Sequence, residues 1–403
     1  MLLRNTLPEY GQPLLAEDAA TLNVPAADEV ERYLTFRANH VPTPLVSLPG
    51  MAAKLGVASI QVKDEGQRLG LGSFKALGGS YAVIRLVLEQ ASAQLGREVD
   101  IAELTTPEVR KIAERMTFAC ATDGNHGRSV AMGAQLVGAS SVIFVHAGVS
   151  DERVAAIARY GARMVRVDGN YDESVREAAR VAGEQGWTIV SDTTWPGYER
   201  IPGLVMQGYM ALLREALREM PQPPTHVFVQ AGVGGIAATV AGHLALVFGE
   251  DRPVFTVVDP ARAACIVESA RAGAPVVVPE GEPTVMAMLE CYEPSLVAWR
   301  ILARTADAFM TVDEDDAIDA MRTLAEPVAG DPAIVAGESG GVGFAALCKA
   351  VASPEIAGAL GLDRDSRIML VNTEGATDPA RYAELVGVTP EQALTRNGMG
   401  TLA

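Results

Sequence analysis

Short apolar runs alternate with amphipathic stretches along most of the chain. The runs predict strands, and the stretches between them, with apolar residues three or four positions apart, predict helices. A strand and a helix recur about every 20 to 25 residues, which is typical of parallel strands connected by helices. We therefore predict an α/β fold with parallel sheets covered by helices. The predicted strands lie at 57–63, 117–121, 141–145, 164–167, 187–191, 226–230, 254–258 and 367–372, and the segment 308–325 is predicted to begin with a strand and continue as a helix.

A long predicted helix after Tyr198 ends at a proline-rich stretch, residues 221–224, and a new strand follows. This interruption suggests that one domain is inserted between the two halves of another. We predict a large discontinuous domain, residues 1–84 and 197–403, and a small α/β domain, residues 85–196. A chain of 403 residues is long enough for two such domains.

Composition and charge limit the classes of partner. Apolar residues make up 49% and charged residues 21%, as in a folded soluble protein. The formal net charge of −17 argues against a nucleic-acid partner. The N-terminus MLLRNTLPEYG lacks the apolar run of a signal peptide, and no run of about 20 apolar residues could span a membrane. We therefore expect a cytoplasmic protein with a small-molecule partner.

The cysteines and histidines do not form a recognisable metal motif. Cys120, Cys265, Cys291 and Cys348 show no CxxC spacing, which predicts reduced thiols, although a Cys265–Cys291 bridge stays open. The five histidines include no HxxxH or HxH pair, which argues against a metal site.

Three glycine-containing stretches carry the candidate chemistry, and the first is GSFKALGG, residues 72–79. It places Lys75 in a glycine-rich turn between a predicted strand and a predicted helix. Glycine lets the backbone approach another group closely. A desolvated lysine there has a lowered pKa and becomes an amine nucleophile. The alternative is an ordinary solvated lysine.

The second stretch is ATDGNHG, residues 121–127, where a strand ends and a helix begins. Free backbone N–H groups at a helix start bind a carboxylate or a phosphate. Asp123, Asn125 and His126 add unusual side-chain chemistry to this turn. The alternative is that the aspartate and the asparagine only cap the helix and shape the turn.

The third stretch is AGVGGIA, residues 231–237, and it also connects a predicted strand to a helix. Its glycines allow backbone N–H groups to surround a phosphate. A dinucleotide fingerprint would need a third glycine that is missing here, and its acidic ribose ligand, Asp259, would come slightly late. A single phosphate therefore suits the loop better.

A reactive lysine, an asparagine at an anion-binding helix start and a single-phosphate loop together predict a pyridoxal phosphate (PLP) site. At this point the chain resembles the tryptophan-synthase-β-like (fold type II) PLP enzymes, and within them it is similar to the diaminopropionate ammonia-lyases. The resemblance runs from about Thr43 to the C-terminus and implies two parallel-sheet α/β domains with the cofactor in the cleft between them. The motifs that carry it are KDEGQRLGLGSFKALGG, ATDGNHG, AGVGGIA, SDTTWPGYERIPG (191–203) and VNTEGATD (371–378).

The resemblance also implies a role for each matching position. Lys75 would bind the cofactor covalently, Phe74 would pack on its ring, and Asn125 would donate to its 3-oxygen. Thr373 would lie beside the pyridine nitrogen, a neutral partner that suits β-elimination. The phosphate would be bound by Gly232, Val233, Gly234, Gly235 and Ile236. The substrate would contact Ser73, Thr122, Asp123, Gly124, His126 and Asp192.

Two carboxylates distinguish the substrate. General serine and threonine dehydratases have a small neutral residue at the position of Asp123. A second amino group at Cβ is cationic, so Asp123 and Asp192 would attract it, whereas beside a hydroxyl they would only cost desolvation. Lys75 would take the α-proton of one enantiomer and Asp123 that of the other. The resemblance thus implies a lyase that converts D- and L-2,3-diaminopropionate through an aminoacrylate to pyruvate and two ammonia, working as a homodimer.

Three alternatives remain open from the sequence. The nearest is a related PLP lyase acting on serine, threonine or another β-substituted amino acid. A nicotinamide-dependent oxidoreductase would explain the AGVGGIA loop but not Lys75, and a non-catalytic PLP sensor would not need the complete catalytic set. Asp192 itself has a structural alternative as a turn residue before Thr193.

Overall fold

The computed structural model of the chain describes residues 1–37, 40–122, 124–169, 171–328 and 330–396. The chain forms two compact units. Unit 1 comprises Met1–Val24, Pro42–Phe74 and Leu212–Ala403, and unit 2 comprises Pro25–Val41 and Lys75–Ala211.

Unit 1 is built on a seven-stranded sheet in the order β1-β10-β9-β8-β11-β3-β2. The neighbouring strands from β10 to β3 pair in parallel, and β1 and β2 pair antiparallel at the two edges. The strands are β1 Leu2–Arg4, β2 Leu45–Ser47, β3 Ser59–Asp64, β8 His226–Gln230, β9 Val254–Pro260, β10 Ala308–Val312 and β11 Arg367–Asn372.

Unit 2 is built on a four-stranded parallel sheet in the order β6-β5-β4-β7. Its strands are β4 Thr117–Ala121, β5 Ser140–His146, β6 Arg163–Val167 and β7 Thr188–Ile189. The predicted strand at 187–191 is therefore shorter than expected. The backbone leaves the sheet at Val190, whose N–H still donates to Ala119 O, and turns towards Asp192.

Helices connect the parallel strands. In chain order they are α1 Ala16–Leu22, α2 Val24–Thr35, α3 Pro49–Leu55, α4 Lys75–Leu95, α5 Pro107–Ala113, α6 Asn125–Val137, α7 Asp151–Ala158, α8 Tyr171–Gln185, α9 Arg200–Glu219, α10 Gly235–Phe248, α11 Cys265–Ala272, α12 Leu296–Thr305, α13 Glu314–Ala325, α14 Val342–Ala352, α15 Pro354–Leu360, α16 Pro379–Val386 and α17 Pro390–Thr395.

The central strands of unit 1 form because their residues are apolar on both faces. Every residue of β8 and β10 is buried, as expected for parallel strands covered by helices. Phe228, Met310 and Ile368 from three of these strands share one core cluster with Phe344 of α14. The α/β class with parallel sheets is confirmed.

The units differ from the predicted domains at their boundaries. Unit 2 begins at Lys75 rather than at residue 85, ends at Ala211 rather than 196, and also includes Pro25–Val41. A boundary at residue 84 would cut α4, a continuous helix that packs closely on α6. Sequence spacing could not show this packing.

The edge strands β1 and β2 were not predicted. Each has three residues and pairs antiparallel with a longer strand, so neither follows the strand-and-helix spacing of the parallel sheet. In the described part of the chain, no single helix is long and apolar enough to cross a membrane. Only the pair α14 and α15, bent by 110°, matches together by length and composition.

Candidate active site

Lys75 is the first residue of α4, immediately after the turn that follows β3. Gly72 in this turn has φ +82°, a left-handed conformation that favours glycine. The turn is pinned by neighbouring backbone, because Gly375 N donates to Gly72 O (3.0 Å) and Phe74 N donates to Thr373 O (3.0 Å). The predicted position of the lysine between a strand and a helix is confirmed.

The glycines after Lys75 have a different purpose from the one expected. Gly78 and Gly79 lie inside α4, not in the turn. A Cβ at Gly78 would lie 2.6 Å from Val205 O of α9, and one at Gly79 would lie 2.9 Å from Ser129 Oγ of α6. These glycines let α4 pack against two other helices of unit 2, which holds the Lys75 end of α4 in place.

Lys75 Nζ contacts Asp192 Oδ2 as an ion pair within unit 2. Asp192 follows β7 by three residues, and its side chain is 14% exposed. Burial alone would raise the pKa of the Asp192 carboxyl, but the neighbouring His126 and Lys75 side chains outweigh burial and hold the pKa well below its usual range. Asp192 is therefore an ionised carboxylate beside the candidate nucleophile.

The segment after Asp192 fixes the backbone that presents it. Trp195 and Tyr198 stack with ring centroids 4.1 Å apart. The Tyr198 hydroxyl donates to Ile189 O (2.8 Å) and accepts from Ser191 N (3.0 Å). Ser191 Oγ, rather than Asp192, accepts from Thr193 N (3.3 Å). The turn role considered for Asp192 thus belongs to Ser191, and the Asp192 side chain faces Lys75.

The ATDGNHG stretch forms the end of β4 and the start of α6, as predicted. Thr122 Oγ1 accepts from both Gly124 N and Gly127 N, each at 3.1 Å. Gly127 must be glycine, because a Cβ there would lie 2.3 Å from Thr122 Cγ2. Asn125 is the first residue of α6 and is buried. Asp123 lies outside the described residues.

His126 is buried on the first turn of α6, and both ring nitrogens face groups near β7. Nε2 lies 2.7 Å from Val190 O, and Nδ1 lies 3.9 Å from Asp192 Oδ2. Burial lowers the pKa of His126, with the nearby Asp192 charge acting in the opposite direction. The His126 side chain therefore lies against Asp192.

The AGVGGIA stretch connects β8 to α10 in unit 1. Gly234 precedes the helix with φ +98°, and a Cβ at Gly232 would lie 3.0 Å from Cys291 Sγ. Within the described chain, no N–H from Gly232 to Ile236 donates to a backbone carbonyl. These N–H groups lie in the turn before a 14-residue helix and in its first residues, a position that fits a phosphate.

Asp259, the acidic ribose ligand that a dinucleotide site would need, is buried and already bonded to the start of α11. Its Oδ2 accepts hydrogen bonds from Ile266 N (3.0 Å) and Val267 N (2.9 Å). Burial raises the pKa of its carboxyl well above the usual range. Cys265 and Cys291 beside the loop are not joined in a disulfide, and Cys265 Sγ lies 3.6 Å from Gly232 O.

Gln230 is a residue that the sequence analysis missed. It is the last residue of β8, and its Nε2 lies 2.8 Å from Thr373 Oγ1 and 2.6 Å from Gly340 O. Because β8 and β11 are neighbours, the glycine loop and Thr373 follow the same edge of the sheet. The available signal was a polar residue at the end of the apolar run HVFVQ.

Ser73 and Phe74 also lie in unit 1, against the residues that follow β11. Ser73 forms an isolated antiparallel bridge with Glu374. Its hydroxyl is buried, and Oγ has no hydrogen-bond partner among the described atoms. A buried hydroxyl of this kind fits a polar group of a bound ligand.

The predicted site residues thus divide between the two units. Unit 1 brings together Ser73, Phe74, Thr373 and the glycine loop. Unit 2 brings together Lys75, Asp192 and the start of α6 with Thr122, Asn125 and His126.

A separate cavity of about 330 Å³ lies in unit 2, between α2, α4 and residues 98–101, and shares no residue with these sets. Its cations are paired, since Arg85 contacts Glu29 (2.6 Å) and Arg32 contacts Asp100 (2.7 Å).

Comparison with known proteins identifies the family. A family described as pyridoxal-phosphate dependent enzyme matches residues 37–374. The chain belongs to this family. Among the PLP-dependent enzymes, it is similar to diaminopropionate ammonia-lyase of Escherichia coli K12, with 41% identity over 356 residues, 87% of this chain and 88% of that protein. The diaminopropionate ammonia-lyase of Salmonella typhimurium LT2 is 37% identical over 91% of this chain and 93% of its own length.

A solved structure extends the likeness to the fold. The E. coli diaminopropionate ammonia-lyase in complex with an aminoacrylate-PLP azomethine reaction intermediate superimposes with a TM-score of 0.86 and 37% identity, covering 96% of each chain. The PLP-dependent enzyme described here therefore has the fold type II architecture. Its cofactor is PLP, and the donors at α10, the Ser73 hydroxyl and the amine of Lys75 fit that group.

Proposed function

We propose that the protein is a PLP-dependent carbon–nitrogen lyase that removes ammonia from D- and L-2,3-diaminopropionate. The products are pyruvate and two ammonia, formed through an aminoacrylate. The observation that carries the proposal is the ionised Asp192 beside Lys75. A carboxylate there attracts the cationic second amino group of the substrate, whereas a hydroxyl in its place offers no charge to compensate the desolvation. The choice is supported by the relatives from E. coli and Salmonella typhimurium, both of which are named diaminopropionate ammonia-lyase.

The cofactor-binding residues are proposed from the geometry within each unit. Lys75 would hold PLP covalently, Phe74 would pack on its ring, and Asn125 would hydrogen-bond the 3-oxygen. Thr373, whose hydroxyl accepts a hydrogen bond from Gln230 Nε2, would lie beside the pyridine nitrogen. The N–H groups of Gly232, Val233, Gly234, Gly235 and Ile236 hold the phosphate. When bound, PLP supplies an electron sink for negative charge at the substrate α-carbon.

The substrate contacts are proposed position by position. The start of α6 offers backbone N–H groups to the substrate carboxylate, with Thr122 fixing the Gly124 turn. The other proposed contacts are made by Ser73, Asp123, Asp192 and the backbone N–H of His126. Lys75 takes the α-proton of one enantiomer, and Asp123 takes it from the other.

The deciding experiment is the release of pyruvate from D- and L-2,3-diaminopropionate, beside L-serine, and of 2-oxobutyrate from L-threonine, with PLP added. We expect fast turnover of the diamino acid and slow turnover of both hydroxy acids. The reverse ranking would overturn the substrate and favour a dehydratase-type lyase acting on another β-substituted amino acid. Absence of a PLP absorbance band in the purified protein would refute the cofactor assignment as well.

Variants then separate the two carboxylates. We expect Asp192→Asn to lower kcat/KM for diaminopropionate by about 100-fold while leaving the bound-PLP absorbance intact. We expect Asp123→Asn to reduce turnover of one enantiomer far more than that of the other. Equal losses on both enantiomers would contradict the two-base assignment.

The assembly and the location of the enzyme follow from the resemblance alone. We propose a homodimer in the cytoplasm, with unit 1 as the larger PLP-binding domain and unit 2 as the smaller one. Light scattering on the eluted holoenzyme would measure the mass of the assembly, and a monomeric mass of 42.4 kDa would contradict the dimer.

A further inference from the structure

The proton on the His126 ring has a defined position. Val190 O is a carbonyl and can only accept a hydrogen bond, so Nε2, 2.7 Å away, must carry the donated hydrogen. In the neutral ring Nδ1 is then an unprotonated acceptor. Nδ1 is buried and makes no hydrogen bond to a described atom. Nδ1 is therefore the atom of this ring that can gain a proton.

One carboxylate oxygen faces both Nδ1 and the lysine amine. Asp192 Oδ2 contacts Lys75 Nζ and lies 3.9 Å from His126 Nδ1. The second distance is that of an ion pair, about 1 Å longer than a hydrogen bond. The lone pair of a neutral Nδ1 gains nothing from this oxygen, whereas an imidazolium would form a second ion pair with it.

A largely buried carboxylate needs a cation beside it. Leaving Asp192 ionised without one is unfavourable, because the charge has lost much of its hydration. In the structure that cation is the Lys75 ammonium. If Lys75 is to act as a base, it must first become a neutral amine, and Asp192 then loses its counter-charge. His126 is a second basic side chain beside this carboxylate, with Nδ1 3.9 Å from Asp192 Oδ2.

We propose that His126 becomes the cation beside Asp192 when Lys75 is neutral, and that the two basic side chains exchange a proton through the Asp192 carboxylate. Lys75 Nζ gives one proton to Asp192 Oδ2, and the same oxygen gives a proton to His126 Nδ1. Lys75 becomes a neutral amine, Asp192 remains a carboxylate, and His126 becomes an imidazolium. The net charge of the three groups is zero before and after the transfer.

Among the described residues, three other titratable groups near Asp192 do not compete for this proton. Cys120 of β4, Tyr198 after β7 and Tyr209 of α9 all have a raised pKa, first because they are buried, and stay neutral. His126 acts through Asp192, so it is a positioning residue: it decides where the proton resides. The inference deepens the proposed function and rests on Lys75 being its base.

The first test measures the titration of His126 directly and requires no substrate. The full chain, free of added PLP and labelled in its five histidines, is titrated by NMR as wild type and as Lys75→Ala. Removing the lysine charge should raise the pKa of His126 by about 1 to 3 pH units, since His126 would then supply the positive charge beside Asp192. The additional substitution Asp192→Asn should abolish the rise.

His226 provides a control in the same spectra. It is also buried with Nε2 3.0 Å from a carbonyl, Leu360 O, but its Nδ1 faces Thr225 Oγ1 rather than a carboxylate. Its titration should be the same in all three proteins, which also shows that the variants are folded. A His126 pKa that does not move in Lys75→Ala would overturn the proposal, whether or not diaminopropionate is the substrate.

The second test uses the holoenzyme. His126→Gln keeps a donor for Val190 O but cannot accept a proton at the position of Nδ1. We expect kcat to fall by about 100-fold with KM changed little, and the acidic limb of the kcat–pH profile to disappear. His226→Gln should keep the wild-type profile. A His126→Gln enzyme with the wild-type profile would also overturn the proposal, even if Lys75→Ala proves too unstable to titrate.

Discussion

The packing of α4 can be tested with one methyl group at Gly78. In Gly78→Ala the new Cβ would lie 2.5 Å from Tyr209 Cε1, 2.6 Å from Val205 O and 2.7 Å from Val205 Cγ1. All three separations are shorter than van der Waals contact, and one atom belongs to the backbone of α9. The ring of Tyr209 can rotate only within a packed core, because this side chain is buried. The two helices must therefore separate.

Two opposing contributions determine the change in the free energy of unfolding. Alanine is favoured over glycine inside a helix by about 1 kcal/mol. Overpacking a tight contact costs about 1 to 3 kcal/mol, and the upper end applies where backbone must move. We therefore expect Gly78→Ala to destabilise the protein by about 2 kcal/mol.

Gly183 is the matched control. It lies in α8 of the same unit, and a Cβ there would meet no atom within 4 Å. Gly183→Ala should retain the helix preference alone and stabilise the protein by about 1 kcal/mol. The two substitutions exchange the same atoms, so their expected difference of about 3 kcal/mol measures the helix contact.

Urea unfolding of both variants and the wild type, followed by far-UV circular dichroism, measures these changes as shifts of the midpoint. Because Gly78 is one turn after Lys75, we also expect weaker PLP binding in Gly78→Ala, read from the cofactor absorbance. If Gly78→Ala were stabilised as much as Gly183→Ala, the close packing of α4 on α9 would be wrong.

Three further predictions concern unit 1. Glu215→Gln should destabilise the protein by about 3 to 5 kcal/mol in urea unfolding, because buried Arg68 and Lys63, at 2.6 and 2.7 Å, lose their shared carboxylate. Burial raises the pKa of Asp259 in the folded state above its value in the unfolded state. Its contribution to stability is therefore fully present below the unfolded-state pKa and is lost as the pH rises through the folded-state pKa. Between about pH 5 and pH 8, the urea midpoint of Asp259→Asn should fall less than that of the wild type. Gly234→Ala should weaken PLP binding in a fluorescence titration and destabilise more than Gly273→Ala, since both glycines have positive φ but only a Cβ at Gly234 meets Ala298 and Ile266 at 3.0 Å.

Local pattern was enough for most of the parallel strands. The runs at 117–121, 226–230 and 367–372 have the bounds that the structure shows, because a strand covered on both faces has an apolar middle, and polar residues mark its ends. The three motifs were also correctly assigned to junctions between a strand and a helix. Such a junction can be recognised locally, because its signal lies within about 15 residues: an apolar run, then glycines, then a helical periodicity.

Contacts between distant segments could not be predicted in the same way. The short antiparallel strands β1 and β2 exist only because longer strands pair with them. Gly78 and Gly79 resemble turn residues in the sequence, and only the approach of α9 and α6 explains them. The importance of Gln230 depends on its hydrogen bond to Thr373, which follows the neighbouring strand β11 and is 143 residues away in the chain.

The fold class, the positions of the parallel strands along the chain and the types of residue available for chemistry could be inferred from local periodicity and side-chain identity. Which of those residues meet depends on contacts between distant segments. Lys75 and Asp192 are 117 residues apart, and His126 lies between them in the chain. Their contacts depend on how α4, α6 and the segment after β7 pack in unit 2, and packing of this kind is a property of the folded chain as a whole.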